Sequence, residues 1–396
     1  MSNLRPFSIS VICLLLAVQF CRSATSAEPA LLPRELYERG WIQLFDGETL
    51  FGWQPVGAAQ WRVDNGMIRT DGDKPGFLMT TIEFADYELS VEFQAGEETN
   101  SGIFLRTPLE PTDPARDCYE LNIAPPDNPY PTGSLVARRK VAPQAGTRPT
   151  PGEWHTFRVV ADGGKVTVDL DDERVLVFDE QAPLRIGRIA LQSNSGPVAF
   201  RNIRLRPLGL KSIFNGQDLT GWNTQQALEA KFEVSEAGEL RVLGGRGQLE
   251  TDDQYTNFVL QLECKVNGEG LNSGIFFRAQ PDRLGLGYES QISNTFKEGD
   301  RTKPADYGTG GIYRRQPARR VVADDREWFT KTLIADGPHF AVWVNGHQVT
   351  DWHDYRPASD NPREGNRLAG GILTIQAHDP TTDLSFRNLR IAELPR

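Results

Sequence analysis

Three short segments in the second half of the chain carry groups suited to moving protons and holding hydroxyls. Asn272-Ser273-Gly274-Ile275-Phe276-Phe277-Arg278 ends in a guanidinium, and Tyr288-Glu289-Ser290-Gln291-Ile292 carries a carboxylate and an amide. Leu373-Thr374-Ile375-Gln376 leads through Ala377 to His378. Each reads as a β-strand, an apolar or aromatic run bounded by turn residues. Side chains alternate faces along a strand. That rule puts Asn272, Gly274, Phe276 and Arg278 on one face, Glu289 and Gln291 on one, and Thr374, Gln376 and His378 on one. A sheet face that gathers an Arg, a Glu, Gln side chains and a His beside Tyr288 and Phe276 suits a sugar. Vicinal hydroxyls need bidentate donors and acceptors, and the C–H face of a sugar packs on an aromatic ring. The plainer reading is a solvated outer face with an Arg278–Glu289 ion pair.

The same pattern occurs earlier in the chain. Asn100-Ser101-Gly102-Ile103-Phe104-Leu105-Arg106 matches the first segment, and Arg106, Glu120, Asn122 and Gln192 take the corresponding places. Ser193-Asn194 stands where the second copy has Ala377-His378. An asparagine cannot titrate near neutrality and a histidine can, so general-base chemistry is expected in the second copy. The remaining histidines, His155, His339, His347 and His353, read as exposed or structural. Acidic pairs such as Asp171-Asp172 and Asp324-Asp325 read as turns. No Ser/His/Asp order, HExxH or phosphate-binding loop is present. Cys118 and Cys264 occupy non-equivalent positions and are expected to be free, buried thiols.

The elements that must position these groups are repeated in order. Leu44-Phe45-Asp46-Gly47 to Gly52-Trp53 recurs as Ile213-Phe214-Asn215-Gly216 to Gly221-Trp222. Trp154 matches Trp328, and Phe200-Arg201-Asn202-Ile203-Arg204 matches Phe386-Arg387-Asn388-Leu389-Arg390. Short alternating strands split by Gly, Pro, Asn and Asp turns predict an all-β protein of two tandem sandwiches or jelly rolls. They span 33–207 and 208–396, with a linker too short for independent beads. The 37 Gly and 26 Pro in 396 residues agree with a turn-rich chain. A formal charge of −10 argues against nucleic acid, which wants a basic surface. Residues 1–27 read as a secretory signal peptide, with Arg5, an apolar stretch and small residues up to Ala27. The apolar stretch is too short for membrane insertion. The chain is therefore expected to be secreted or periplasmic.

This ordered set of motifs resembles the 3-keto-disaccharide hydrolase domain family, over both copies. The resemblance implies a concanavalin A-like jelly-roll sandwich, and cleavage of 3-keto-glycosides in members that are enzymes. A ketone at C3 acidifies the C2 hydrogen. A base removes that proton, the group on C1 leaves, and water adds to the enone. Carried onto this sequence, His378 or Glu289 would be the base and Arg278 would stabilise the oxyanion. Asn272, Tyr288, Gln291 and Gln376 would hold the sugar, with Arg106, Glu120 and Gln192 as their counterparts in the first copy. Glu289 and His378 would offer two ligands to a divalent cation, but no three-ligand spacing is visible. The alternatives are a non-catalytic carbohydrate-binding protein and a structural component of a secreted assembly.

Overall fold

A computed structural model describes residues 31–125, 127–141 and 149–395. The expected signal peptide lies outside them. Among the described residues, every regular element apart from one helical turn, Arg34–Tyr37, is a strand. Strands from Ile42 to Pro207 build an eight-stranded and a five-stranded sheet, and strands from Lys211 to Glu393 build a second such pair. All strand pairings are antiparallel. The result is two jelly-roll sandwiches, all-β as the turn-rich alternating sequence predicts. Tyr87–Ala95 illustrates the cause: its residues alternate between buried and half-buried, so one face fills the space between sheets and the other faces outward.

The repeated motifs do structural work. Asp46 Oδ1 accepts from the Glu48 and Thr49 amides, and Asn215 Oδ1 does the same for Gln217 and Asp218, closing equivalent turns. The following tryptophans donate from Nε1 to Leu44 O and Ile213 O. At the other end, Asn202 (φ 50°) and Asn388 (φ 53°) sit in β-bulges. Each bulge is fastened to one glutamate: Arg201 and Asn202 donate to Glu92, Arg387 and Asn388 to Glu263.

A third pair of bulges corrects an expectation. Arg106 (φ 50°) and Arg278 (φ 46°) lie in the left-handed region, and pairing with the neighbouring strand slips between Phe276 and Ala279. The extra residue breaks the alternation, so Arg278 does not share the face of Phe276. Its fully buried guanidinium lies 5.3 Å from the Phe340 ring centre. It donates to Thr256 O (2.9 Å), Arg367 O (3.0 Å) and Asn257 Oδ1 (3.1 Å). Arg106 likewise holds Ala85 O, Gly163 O, Leu184 O and Asp86. Both arginines tie loops to the sandwich end.

The two sandwiches pack together. Val259, Ile334, Ala341 and Trp343 of the second belong to the same buried cluster as the first core. Trp343 Nε1 donates to Gln43 O (2.9 Å), Gln261 Nε2 to Gly40 O (2.9 Å), and Arg319 Nη2 to Asp46 Oδ2 (2.8 Å). Cys118 and Cys264 are free and buried, as expected.

Candidate functional site

The five-stranded sheet of the second sandwich runs Trp222–Asn223, Gly247–Tyr255, Gly371–Ala377, Ser273–Ala279, Tyr288–Ile292. Leu249, Ile275, Ile375 and Tyr288 turn into the core, so the alternate residues form the opposite face. Register aligns Gln248 with Gln376 and Gly274 with Gln291; the next row holds Glu250, Thr374, Phe276 and Glu289. The structure thus brings together Glu289, Gln291, Thr374 and Gln376 of the expected residues. Asn272, just before its strand, joins them through Asp306: Asn272 Nδ2 and Gln291 Nε2 both donate to Asp306 Oδ2, at 2.6 and 2.8 Å.

Glycine at 274 makes room for the carboxyl. A Cβ placed there would lie 2.5 Å from Glu289 Oε1, closer than any real contact. Glu289 is 9% exposed, and burial pushes its carboxyl up to about 7. Lys331, Arg363 and Arg314 pull in the opposite direction, while Asp306 adds to the rise. Around it stand acceptors with no partner among the described residues: Gln291 Oε1, Gln376 Oε1, Thr374 Oγ1 and Asn272 Oδ1 are buried and unpaired there. Buried polar atoms are normally hydrogen-bonded. A row of orphaned acceptors on one sheet face is what a polyhydroxylated ligand would satisfy.

Other expected residues lie elsewhere. Tyr288 faces the core, its hydroxyl donating to Asp354 Oδ2 (2.7 Å) and accepting from the Arg367 amide (2.8 Å). It sits one residue out of phase with Glu289, and alternation sends it to the opposite face. Arg278 is behind the sheet, as described above. His378 lies two residues past Gln376, beyond the strand end; its side chain is 44% exposed, with Nδ1 2.8 Å from Asp379 Oδ2. Among the described residues no group of three or more His, Cys, Asp and Glu is placed to hold a metal ion.

The rim residues carry no signature in the sequence. Asp306, Arg314 and Arg363 come from loops, where no periodicity marks a residue. Arg363 Nη2 reaches Gly285 O at 2.5 Å, and the Gly285 amide donates to Gln248 Oε1 at 2.9 Å. Gln248 Nε2 donates in turn to Glu250 Oε1 (2.6 Å). The alternation Gln248-Leu249-Glu250 would have revealed this strand as another polar row.

The first sandwich carries the same skeleton with a different lining. Glu120 is also buried and pushed up to about 7 by burial, with Gln192 hydrogen-bonded to it. Register places Phe77 beside Gln192 and Met79 beside Ala190, where the second copy has Gln248 beside Gln376 and Glu250 beside Thr374. Phe77, Met79, Phe104 and Ala190 form an apolar cluster. Ala137 (φ 60°) occupies the turn position of Arg314 (φ 58°), so no cation stands at that point of the rim. Arg106 is buried behind this sheet too, and Asn122 Nδ2 is bound to Tyr130 O.

Comparison with known proteins agrees with the duplication. A family model described as the 3-keto-alpha-glucoside-1,2-lyase-like domain matches residues 40–206 and again 209–392. A 3-keto-disaccharide hydrolase of Bacteroides thetaiotaomicron is 26% identical over 254 residues, covering 48% of this chain and 87% of that protein. Among solved structures, a putative glycosyl hydrolase from Parabacteroides distasonis is 20% identical with a TM-score of 0.40, covering 46% of this chain and 100% of its own. A carbohydrate binding module of Bacillus subtilis is 15% identical with a TM-score of 0.31, covering 39% of this chain and 95% of its own.

Proposed function

The chain belongs, in both halves, to the 3-keto-alpha-glucoside-1,2-lyase-like domain family, and from that premise we propose that it cleaves 3-keto-glycosides at the outer face of the five-stranded sheet of the second sandwich. Glu289 is the base. It removes the C2 proton, and the C–H electrons enter the C2–C3 bond as the C3 carbonyl becomes an enolate. The enolate re-forms the carbonyl, a C1–C2 double bond appears, and the C1–O bond breaks. The departing alkoxide takes a proton from water. The hydroxide left from that water then adds to C1 of the enone while the proton returns from Glu289 to C2. The net reaction is hydrolysis.

The observation that carries this reading is the Glu289 carboxyl, held near 7 above Gly274. A base poised near the working pH is the efficient one. Arg314 and Arg363 replace Arg278 as the cations facing the enolate. Gln291, Gln376 and Asn272 take the sugar hydroxyls with their free acceptors. His378, exposed beyond the strand end and held to Asp379, is not assigned the role of the base. The first sandwich, with its apolar floor and Ala137 at the rim, binds or supports without reacting. The leader expected over residues 1–27 would place this activity outside the cytoplasm.

The test is hydrolysis of a 3-keto-disaccharide such as 3-keto-trehalose by the purified chain. Glu289→Gln should lower kcat by about 10²- to 10⁴-fold, while Glu120→Gln leaves it within a factor of two or so. Equal losses in both variants, or none in Glu289→Gln, would sink the assignment.

A further inference from the structure

A cleft of about 900 Å³ opens between the two sandwiches, away from the Glu289 face. Gln54, Thr81, Glu83 and Arg188 line it from the first sandwich, and His339, Asp351, His353 and Tyr355 from the second. Tyr355 is 86% exposed. Its ring stacks on His353 with centroids 4.2 Å apart and planes at 23°. One face of the tyrosine is thus braced and the other is presented to solvent. His353 is in turn packed 5.6 Å from His339, so the platform rests on a stack of rings.

The cleft walls are tied to each other by hydrogen bonds. The Thr81 hydroxyl donates to Asp351 Oδ2 across the domain boundary (2.9 Å), and the other oxygen of Asp351 lies 2.5 Å from His339 Nε2. Arg188 Nη1 donates to Glu83 Oε1 (2.6 Å). Arg188 is thereby committed to Glu83, which disfavours an anionic ligand. A flat aromatic face flanked by hydrogen-bonding groups suits a neutral pyranose.

We propose that this cleft is a second carbohydrate site, in which a glucosyl unit of an oligosaccharide stacks on Tyr355. It rests on the carbohydrate part of the reading above, not on the chemistry at Glu289. The site exists only in the tandem arrangement, because each sandwich contributes one wall.

Maltopentaose is titrated calorimetrically into the full chain carrying Glu289→Gln, and into the same chain with Tyr355→Ala or Tyr355→Phe added. Tyr355→Ala should weaken binding about tenfold, the worth of one aromatic contact, and Tyr355→Phe should retain it. As Tyr355 is on the surface, both variants should keep the melting temperature of the parent. Binding undiminished by Tyr355→Ala, or no saturable binding of maltopentaose to the parent, overturns the proposal. Turnover is not read in this experiment, so it is decided independently of whether Glu289 is a base.

Discussion

Glu289 and Lys331 lie on opposite sides of one strand. Lys331 is buried in the core, where Nζ donates to Ser290 O (2.8 Å) and Gln291 O (3.0 Å). In the first sandwich its place is taken by Phe157, which stacks on Phe93 at 4.7 Å; in the second, Cys264 stands where Phe93 does. A buried ammonium is costly, and burial holds Lys331 well below the ordinary lysine range. Its charge also favours the ionised form of Glu289. Lys331→Met, of similar volume, should therefore move the rising limb of the kcat/KM–pH profile from about 7 to higher pH. An unmoved limb would mean that the two groups are uncoupled. A second expectation concerns stability. The Glu289 carboxyl has a higher proton affinity folded than unfolded, so stability falls as pH rises from about 4.5 to about 7. Glu289→Gln should then melt higher than the wild type above pH 7, with the gap closing at lower pH, by scanning calorimetry at several pH values. Glu289, Gln291 and Gln376 were legible in the sequence because strand alternation fixes their face. The same rule puts Lys331 on the side of Phe329, in the core, but a lone lysine there carries no mark of its effect on Glu289.

At the scale of the element, alternation failed where a bulge intervened. The strand Ser273–Ala279 keeps period two up to Phe277 and then inserts Arg278 with a positive φ. The repeat of this arginine in both copies looks like a functional signal. It is better explained by folding, since both sandwiches need their loops pinned at the same corner. Arg278→Met strands three carbonyl or amide acceptors and should cost about 3 kcal/mol of stability. Denaturant unfolding measures that loss, and kcat of the surviving folded protein should stay near the wild-type value. Gly274→Ala has the opposite signature. The added methyl collides with the Glu289 carboxyl rather than with backbone, so activity should fall more than stability. The other repeated motifs follow the logic of Arg278: the Asp46 and Asn215 turns and the bulges on Glu92 and Glu263 are common to both copies because both must fold. The features that separate the copies, Arg314 against Ala137 and Gln248 against Phe77, are the informative ones. They sit in loops and in a strand whose copies agree at Gly76/Gly247, Leu78/Leu249 and Thr80/Thr251 and differ at the positions between them.

For the whole molecule, the short linker already implied packed neighbours, and the interface shows what the packing depends on. His347 is buried beside Gly346, whose carbonyl accepts from the Gln43 amide of the first sandwich. Its Nε2 is 2.9 Å from Arg319 Nη2, and that same guanidinium nitrogen reaches Asp46 across the boundary. Burial first, and the Arg319 charge second, lower the imidazole to about 3. The folded state therefore keeps His347 neutral, while the unfolded chain takes up a proton below about pH 6.5. Stability from this group is complete above that pH and declines as pH falls toward 3. Because the histidine lies at the joint, acid should loosen the two sandwiches from each other before either core melts. His347→Gln, which cannot be protonated, should flatten the acid limb of the melting temperature between pH 6 and 4. Limited proteolysis near Pro207-Leu208-Gly209 at pH 4.5 should cut the wild type faster than this variant. If both are cut at the same rate, the acid sensitivity of the joint lies in the Asp46 carboxylate that Arg319 pairs with rather than in His347. The cleft lined by Tyr355 would open with the joint, so loss of maltopentaose binding over the same pH range is the matching outcome in solution.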